Sequence, residues 1–186
     1  MKTILKLTLV FLLCLGLSGC DVFSFNRYKN TEYGLSLLLP RSWHKEEGFK
    51  NTVLMAAASE QQSKFKTNIT LTVGDLADIQ ARMNKKISLI EFYEVNKAQA
   101  MEMLPGEKYN IQENRIIAGR HIGMALSFNN KIKEMDVDLS FLVGVWMEGN
   151  RVYTITCTTE TERFPHYLPI FKKILQSLRI KQMEKS

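Results

Sequence analysis

The stretch "EMDVDLSFLVGVWMEGNRVYTITCTTE", residues 134–160, decides the fold class. Every second side chain over residues 135–147 is apolar, a period that predicts a strand with one face on a core. Gly149 and Asn150 both tolerate positive φ and indicate a two-residue turn, after which residues 151–160 alternate again. The stretch therefore predicts an antiparallel hairpin of two long strands.

The opposite face of the first of these strands begins polar and ends apolar, where Leu142 and Trp146 lie. Two interpretations are open. In one, the C-terminal helix of the chain or a loop covers this apolar end. In the other, the end is exposed and forms a surface for a protein partner or a ligand. Trp43, just after Pro40, is a further aromatic candidate for such a surface.

Five other segments have the pattern of strands. In residues 35–40 three leucines share one face, and Pro40 ends the strand because it cannot donate to a sheet ladder. In residues 66–74 apolar and polar side chains alternate just as regularly. The other three segments are "NTVLMAAAS" (51–59), "KYNIQENRIIAG" (108–119) and "RHIGMALSFNN" (120–130).

A helix is predicted over residues 88–104. Ser88 and Glu91 have the spacing of a capping box, and the Pro-Gly pair after residue 104 ends the helix. Asn96 falls near the middle of the apolar stripe. Either its amide is hydrogen-bonded within the core, or the helix faces a groove at that point.

The closing segment "FPHYLPIFKKILQSLRI", residues 164–180, predicts a strongly amphipathic helix. Pro165 and Pro169 lie in its first turns, where a missing backbone donor costs least. Lys172 and Lys173 lie on the opposite, solvated face. A helix of this kind packs on a sheet through its apolar side.

Strands that are grouped, and do not alternate strictly with helices, predict an α+β fold with a mainly antiparallel sheet covered by helices. The chain has no internal repeat and no linker rich in Pro or Gly. We therefore expect a single domain, over residues 28–182.

Five pieces of the chain carry a resemblance to a known family. They are "YGLSLLLPRSW", "LIEFYEVNKAQAMEMLPGEKY", "RIIAGRHIGMALSF", "GNRVYTITCT" and "YLPIFKKILQSLRI". In pattern and order they resemble the PsbP/Mog1-like fold, and especially the bacterial PsbP-like, DcrB-related lipoproteins. The resemblance implies a sandwich of sheet and helices and a binding or assembly role on membranes or larger complexes. None of the pieces is a catalytic signature, and the calcium and chloride association of PsbP proteins matches no ligand set here.

The N-terminus has the features of a bacterial lipoprotein signal. Lys2 and Lys6 precede an apolar run over residues 7–17, which is shorter than the about 20 residues that a spanning helix needs. Small residues then lead to Gly19 and Cys20, which resembles a lipobox cleaved before the cysteine. We expect residues 1–19 to be a signal peptide and Cys20 to be lipidated. The alternatives are an ordinary secretory signal with an accidental cysteine and an N-terminal transmembrane anchor.

Residues 20–27 are predicted to be a short tether, with an extended reach of about 25 Å. Its apolar residues Val22, Phe23 and Phe25 either enter the membrane interface or begin the domain. Asp21 matches the residue taken to retain lipoproteins at the inner membrane, facing the periplasm, in enteric-type Gram-negative bacteria.

The charge of the chain does not indicate a nucleic-acid partner. The formal net charge is +6, and removal of Lys2 and Lys6 with the signal leaves +4. The basic residues are scattered and form no arginine-rich or aromatic-interleaved stripe.

No catalytic site, metal site or cofactor is predicted. Cys157 is without a disulfide partner once Cys14 is removed with the signal peptide and Cys20 is acylated, and strand alternation predicts that it is a small buried hydrophobe. Asp136 and Asp138 are predicted on one strand face, but two carboxylates fall short of the six to eight oxygens that calcium takes. The three histidines lack partners at metal-ligand spacing; they are His44, His121 and His166.

The function expected from these features is a membrane-anchored, non-catalytic module that binds or assembles with another component of the cell envelope. The alternative is a carrier or sensor of a small hydrophobic ligand, held in a cavity near Asn96 and Trp146. A third hypothesis is an enzyme, such as a hydrolase, that uses Cys157 or a metal at Asp136 and Asp138.

Overall fold

A computed structural model of the protein describes residues 24–59, 63–132 and 136–181. Its strands are β1 (Phe25–Asn30), β2 (Leu35–Pro40), β3 (His44–Glu47), β4 (Leu54–Ala57), β5 (Asn68–Asp75), β6 (Glu107–Ala118), β7 (His121–Ile132), β8 (Val137–Glu148), β9 (Arg151–Glu160) and β10 (Arg179–Ile180). Its α-helices are α1 (Leu76–Met83), α2 (Leu89–Met103) and α3 (Phe164–Gln176). The predicted signal peptide lies outside the described residues, as do Gly19, Cys20 and Asp21.

Seven strands form one antiparallel sheet, the main sheet, in the order β3-β4-β5-β9-β8-β7-β6. The predicted hairpin of β8 and β9 lies within it, with Glu148 opposite Arg151. The turn between them uses Gly149 at a φ of +60°, a conformation that glycine adopts without strain. The prediction of a mainly antiparallel α+β fold is confirmed.

Three strands form a separate antiparallel sheet, the small sheet, in the order β1-β2-β10. Its first strand begins at Phe25, which pairs with Pro40, so the folded region starts earlier than the predicted boundary at residue 28. Residues 25–27, assigned by prediction to the tether, belong to this sheet.

The closing helix is shorter than predicted, because α3 ends at Gln176 and the chain then joins the small sheet as β10. Ser177 makes this change of direction. Its hydroxyl donates to the carbonyl of Ile174 at 2.7 Å and accepts the backbone N–H of Leu38 at 2.7 Å. The serine thus ties the helix end to β2 in the place where a longer β10 would pair.

The three helices and the small sheet cover the two faces of the main sheet. The small sheet and α3 pack on one face, around Trp146 and Ile155, whereas α1 and α2 pack on the other, around Val145 and Val152. Because successive side chains of a strand point to opposite faces, β8 supplies both cores at once. The domain is therefore a sandwich with a buried sheet between two outer layers.

Candidate functional site

Helix α2 begins at the predicted capping box. The Ser88 hydroxyl accepts the backbone N–H of Glu91 at 3.2 Å, and a carboxylate oxygen of Glu91 accepts the backbone N–H of Ser88 at 2.9 Å. Lys85 pairs with the same carboxylate at 2.9 Å. These bonds hold the pKa of Glu91 down from 4.5 to about 2, chiefly through the backbone bond from Ser88. They fix the start of α2 and its direction across the sheet.

A groove of about 370 Å³ lies between α2 and the main sheet. Phe92, Asn96, Ala100 and Leu104 follow one another at the four-residue spacing that places side chains on one side of a helix. Phe92 is buried on the sheet, and the next three residues line the groove. Because a polar and a small side chain stand where large apolar ones would fill the space, the middle of α2 leaves Phe141 and Val143 of the sheet partly exposed.

The floor of the groove is formed by three adjacent strands. Leu126 of β7, Val143 of β8 and Thr156 of β9 lie side by side in register. Phe128 and Phe141 form the next row, with their rings stacked at 4.8 Å between centroids. The remaining floor residues are Val145 and Thr154. The floor is thus mostly apolar, with two threonine hydroxyls on its β9 side.

A charged network borders the groove where α2 meets the edge strand β6. Lys97 Nζ lies 2.6 Å from a carboxylate oxygen of Glu94 and 3.1 Å from one of Glu113, and the Tyr93 hydroxyl donates to Glu113 at 2.9 Å. The bond from Tyr93, together with Lys97, lowers the pKa of Glu113, while burial and this carboxylate raise the pKa of Tyr93. The network keeps charge at the rim and links the helix to β6.

Asn96 lines the groove, and its amide donates to the carbonyl of Phe92 at 2.8 Å. The side chain is half-buried. The structure therefore combines the two alternatives that the sequence leaves open for Asn96. The amide is hydrogen-bonded within its own helix, and that helix faces a groove.

Trp43, Leu142 and Trp146, predicted as a possible partner or ligand surface, do not lie on a surface. Their exposed fractions are 3%, 7% and 0%. All three belong to the core under α3 and the small sheet, where the Trp43 ring lies 6.2 Å from that of Tyr167. Asn96 and Trp146, which were predicted to lie near one cavity, lie on opposite faces of the main sheet, and the groove is on the face that Asn96 covers.

Cys157 is fully buried in β9, and burial raises the pKa of its thiol well above the ordinary value. The pair of aspartates also differs from the prediction, because Asp136 precedes β8 with a φ of +47° and only Asp138 lies in the strand. Asp136 pairs with Lys64 at 2.8 Å, and Asp138 accepts the hydroxyl of Tyr109. Their carboxylates are therefore engaged separately.

The three histidines lie in different surroundings. His44 is exposed on β3, His166 lies against the ring of Tyr167, and His121 is buried 3.2 Å from Glu148. Within residues 24–59, 63–132 and 136–181, no three His, Cys, Asp or Glu side chains are grouped as a metal site would need. In the same ranges, no helix has the length and apolar character to cross a membrane.

The floor of the groove was not predicted from the sequence. The alternating pattern placed Phe141 and Val143 on the strand face that meets a core, although both are partly exposed. Two signals were present. Asn96 interrupts the apolar stripe of α2 and Ala100 is a small member of it, and Thr154 and Thr156 lie on the strand face that this helix covers.

No family model matches the sequence, and no curated protein matches it. Solved structures do match the fold. Cyanobacterial PsbP (CyanoP) from Synechocystis aligns with a TM-score of 0.55 at 14% identity, over 88% of this chain and 96% of that one. Protein PA94 of Pseudomonas aeruginosa aligns with a TM-score of 0.57 at 16% identity, over 86% and 99%.

LpqN of Mycobacterium tuberculosis, described as involved in cell envelope biogenesis, aligns with a TM-score of 0.57 at 10% identity, over 85% of this chain and 91% of that one. The chain therefore has the PsbP/Mog1-like fold that the resemblance in the sequence implies. At 10–16% identity, the similarity to these three structures concerns the fold alone.

Proposed function

We propose that the protein is a lipid-anchored, non-catalytic module of the bacterial cell envelope, and that the groove under α2 binds an apolar segment of another envelope protein. The open groove of about 370 Å³ is the observation that carries this proposal. Phe141 and Val143, both partly exposed, offer apolar area to a partner, and the Lys97–Glu113 pair offers a charged rim. An apolar centre with a polar rim is the usual anatomy of a protein interface.

The membrane location in this proposal is inferred from the N-terminal sequence. Acylation of Cys20 supplies two or three chains, which meets or exceeds the two signals that stable membrane anchoring requires. Asp21 favours the inner membrane, facing the periplasm, in a Gram-negative cell. LpqN, which shares the fold, is a protein of cell envelope biogenesis and agrees with this location.

The structure gives no support to the enzyme hypothesis. A cysteine nucleophile requires an accessible thiolate, and Cys157 is fully buried with a raised pKa. Asp136 and Asp138 are bound to different partners, Lys64 and Tyr109. These observations favour a binding module over an enzyme.

The test is photocrosslinking in intact cells from a residue on α2. Gln99 lines the groove, whereas its neighbour Ala98 is exposed and does not line it. A crosslinking amino acid at position 99 of the full-length chain should capture one reproducible membrane or periplasmic protein, and the same group at position 98 should not.

A variant that fills the groove is compared with a matched control that adds the same side chain outside it. Ala100→Phe places a ring between α2 and the floor, whereas Ala98→Phe adds the same ring on the solvent side. We expect only the first change to abolish capture from position 99, while thermal unfolding shows that both variants are folded. Capture that is equal in the two variants, or no specific protein in intact membranes, would overturn the proposal.

The cavity volume favours a second candidate function, a carrier or sensor of a small hydrophobic ligand. The groove falls within the range of about 300–1,000 Å³ typical of ligand sites. N-phenyl-1-naphthylamine, a fluorescent apolar probe, should then bind to the purified chain and to Ala98→Phe but not to Ala100→Phe. Equal fluorescence with both variants would exclude the groove as its site.

A further inference from the structure

The outer face of the small sheet carries basic and neutral side chains. Lys29 of β1, Ser36 of β2 and Arg179 of β10 lie opposite one another across the three strands. Arg27, two residues before Lys29, lies on the same face and donates to the Ser36 hydroxyl at 3.2 Å. The three basic side chains are exposed, and β1, β2 and β10 contain no acidic residue.

Neighbouring elements extend this basic surface. The ammonium of Lys173, on α3, lies 4.2 Å from the ring centre of Phe25, and α3 also contains no acidic residue. On the other side, a Cβ at Gly119 would lie 3.3 Å from Arg179 Cδ, so the β6–β7 turn with its exposed Arg120 borders the sheet. We define the basic face by its five cations: Arg27, Lys29, Arg120, Lys173 and Arg179.

The basic face lies where the chain enters the domain. Four residues separate Cys20 from Phe25, the first residue of β1, and five steps of extended chain span about 17 Å at most. With Cys20 acylated, as the proposed function requires, the end of this face that Phe25 borders is therefore held near the lipid headgroups. A protein partner would have to enter the narrow space between domain and bilayer to reach it.

We propose that the basic face binds anionic lipid headgroups and sets the orientation of the domain on its membrane. Each basic side chain within about 8 Å of an anionic surface, the screening length at physiological salt, raises affinity about fivefold. The acyl anchor holds the protein on the membrane, and the basic face determines which side of the domain meets it. This inference rests on the proposed acylation of Cys20.

The first test uses the chain with Cys20→Ser, which cannot be acylated, so that vesicle binding measures the basic face without the lipid anchor. We expect it to cosediment with vesicles of phosphatidylglycerol and phosphatidylcholine at low salt, to be released at high salt, and not to bind pure phosphatidylcholine. Arg27→Glu combined with Lys29→Glu should weaken this binding at least tenfold, at about fivefold per lost cation.

The control pair is Lys66→Glu with Lys86→Glu, which changes net charge equally at exposed residues outside the small sheet and α3. It should reduce binding far less than the pair on β1. Thermal unfolding followed by circular dichroism checks that both double variants are folded. Equal losses in the two variants, or equal binding to anionic and neutral vesicles, would overturn the proposal.

Two further outcomes separate this inference from the proposed function. If mass spectrometry of the cellular protein finds Cys20 without lipid while the β1 pair still controls vesicle binding, the anchor is wrong and the basic face stands. In the other outcome, the chain fails to bind vesicles while Arg27→Glu with Lys29→Glu abolishes its crosslink to an acidic envelope protein. In that case the basic face binds protein, and the lipid proposal is wrong.

Discussion

At the scale of single residues, Trp146 determines which side chains its neighbours can carry. A Cβ at Gly144 would lie 2.4 Å from the Cη2 atom of the indole and 2.9 Å from Leu175, and one at Gly123 would lie 2.5 Å from the indole nitrogen. Contacts this short force neighbouring groups to move. Both glycines are therefore required by close packing, not by a turn.

We predict that Gly144→Ala destabilises the domain by about 1–3 kcal/mol, the usual cost of overpacking a filled core. Urea denaturation gives the change in the free energy of unfolding. The control is Trp146→Phe, which removes the ring atoms that the new methyl group meets. In the Trp146→Phe background, Gly144→Ala should lower the free energy of unfolding by only a fraction of what it does in the wild type. Strict additivity of the two substitutions would show that the indole is not the cause.

At the scale of elements, the capping box of α2 makes stability depend on pH. The pKa of Glu91 is 4.5 when free of these contacts and about 2 in the folded chain. A lowered pKa means that its stabilising contribution is complete above about pH 4.5 and is lost as pH falls toward 2. Glu91→Gln should remove this part of the acid sensitivity.

Thermal unfolding at intervals between pH 2 and pH 6 measures the effect. Glu102, exposed near the other end of α2, provides the matched control as Glu102→Gln. We expect the wild type and Glu102→Gln to lose stability in parallel on acidification, and Glu91→Gln to lose less. If all three curves are parallel, the carboxylate is not stabilising the helix start.

The strands and helices that the sequence predicts correctly are those with many repeats of one period. The twelve residues of β8 and the fifteen of α2 each have a clear apolar pattern and a terminal signal. By contrast, β3 has four exposed residues and no alternation, and β10 has two residues that follow a strong helix. Such short strands form because a neighbouring strand offers hydrogen bonds, which sequence periodicity does not record.

The candidate site was predicted less well than the fold, since only Asn96 of the four predicted surface residues lines the groove. Trp146 and Leu142 share a strand face with polar residues, and only the packing of α3 and the small sheet shows that this face is covered. The short helix α1 was also absent from the prediction, although Asp75 accepts the backbone N–H of Ala77 as its cap. Long-range packing decides these features.

At the scale of the whole molecule, the two proposed binding surfaces lie on opposite sides of the main sheet. The basic face belongs to the layer of the small sheet and α3, and the groove lies in the layer of α1 and α2. If the first surface meets the membrane, the second points away from it. The groove would then be open to a partner in the aqueous part of the envelope.

This arrangement predicts different labelling of two introduced cysteines. In the acylated protein on anionic vesicles, a large water-soluble maleimide should modify Gln99→Cys quickly and Lys29→Cys slowly, because the bilayer shields the basic face. Cys157 is fully buried and should not react in either variant. In detergent, which removes the bilayer, both positions should react at similar rates. Faster labelling at position 29 than at position 99 on vesicles would mean that the groove faces the lipid and that the proposed orientation is reversed.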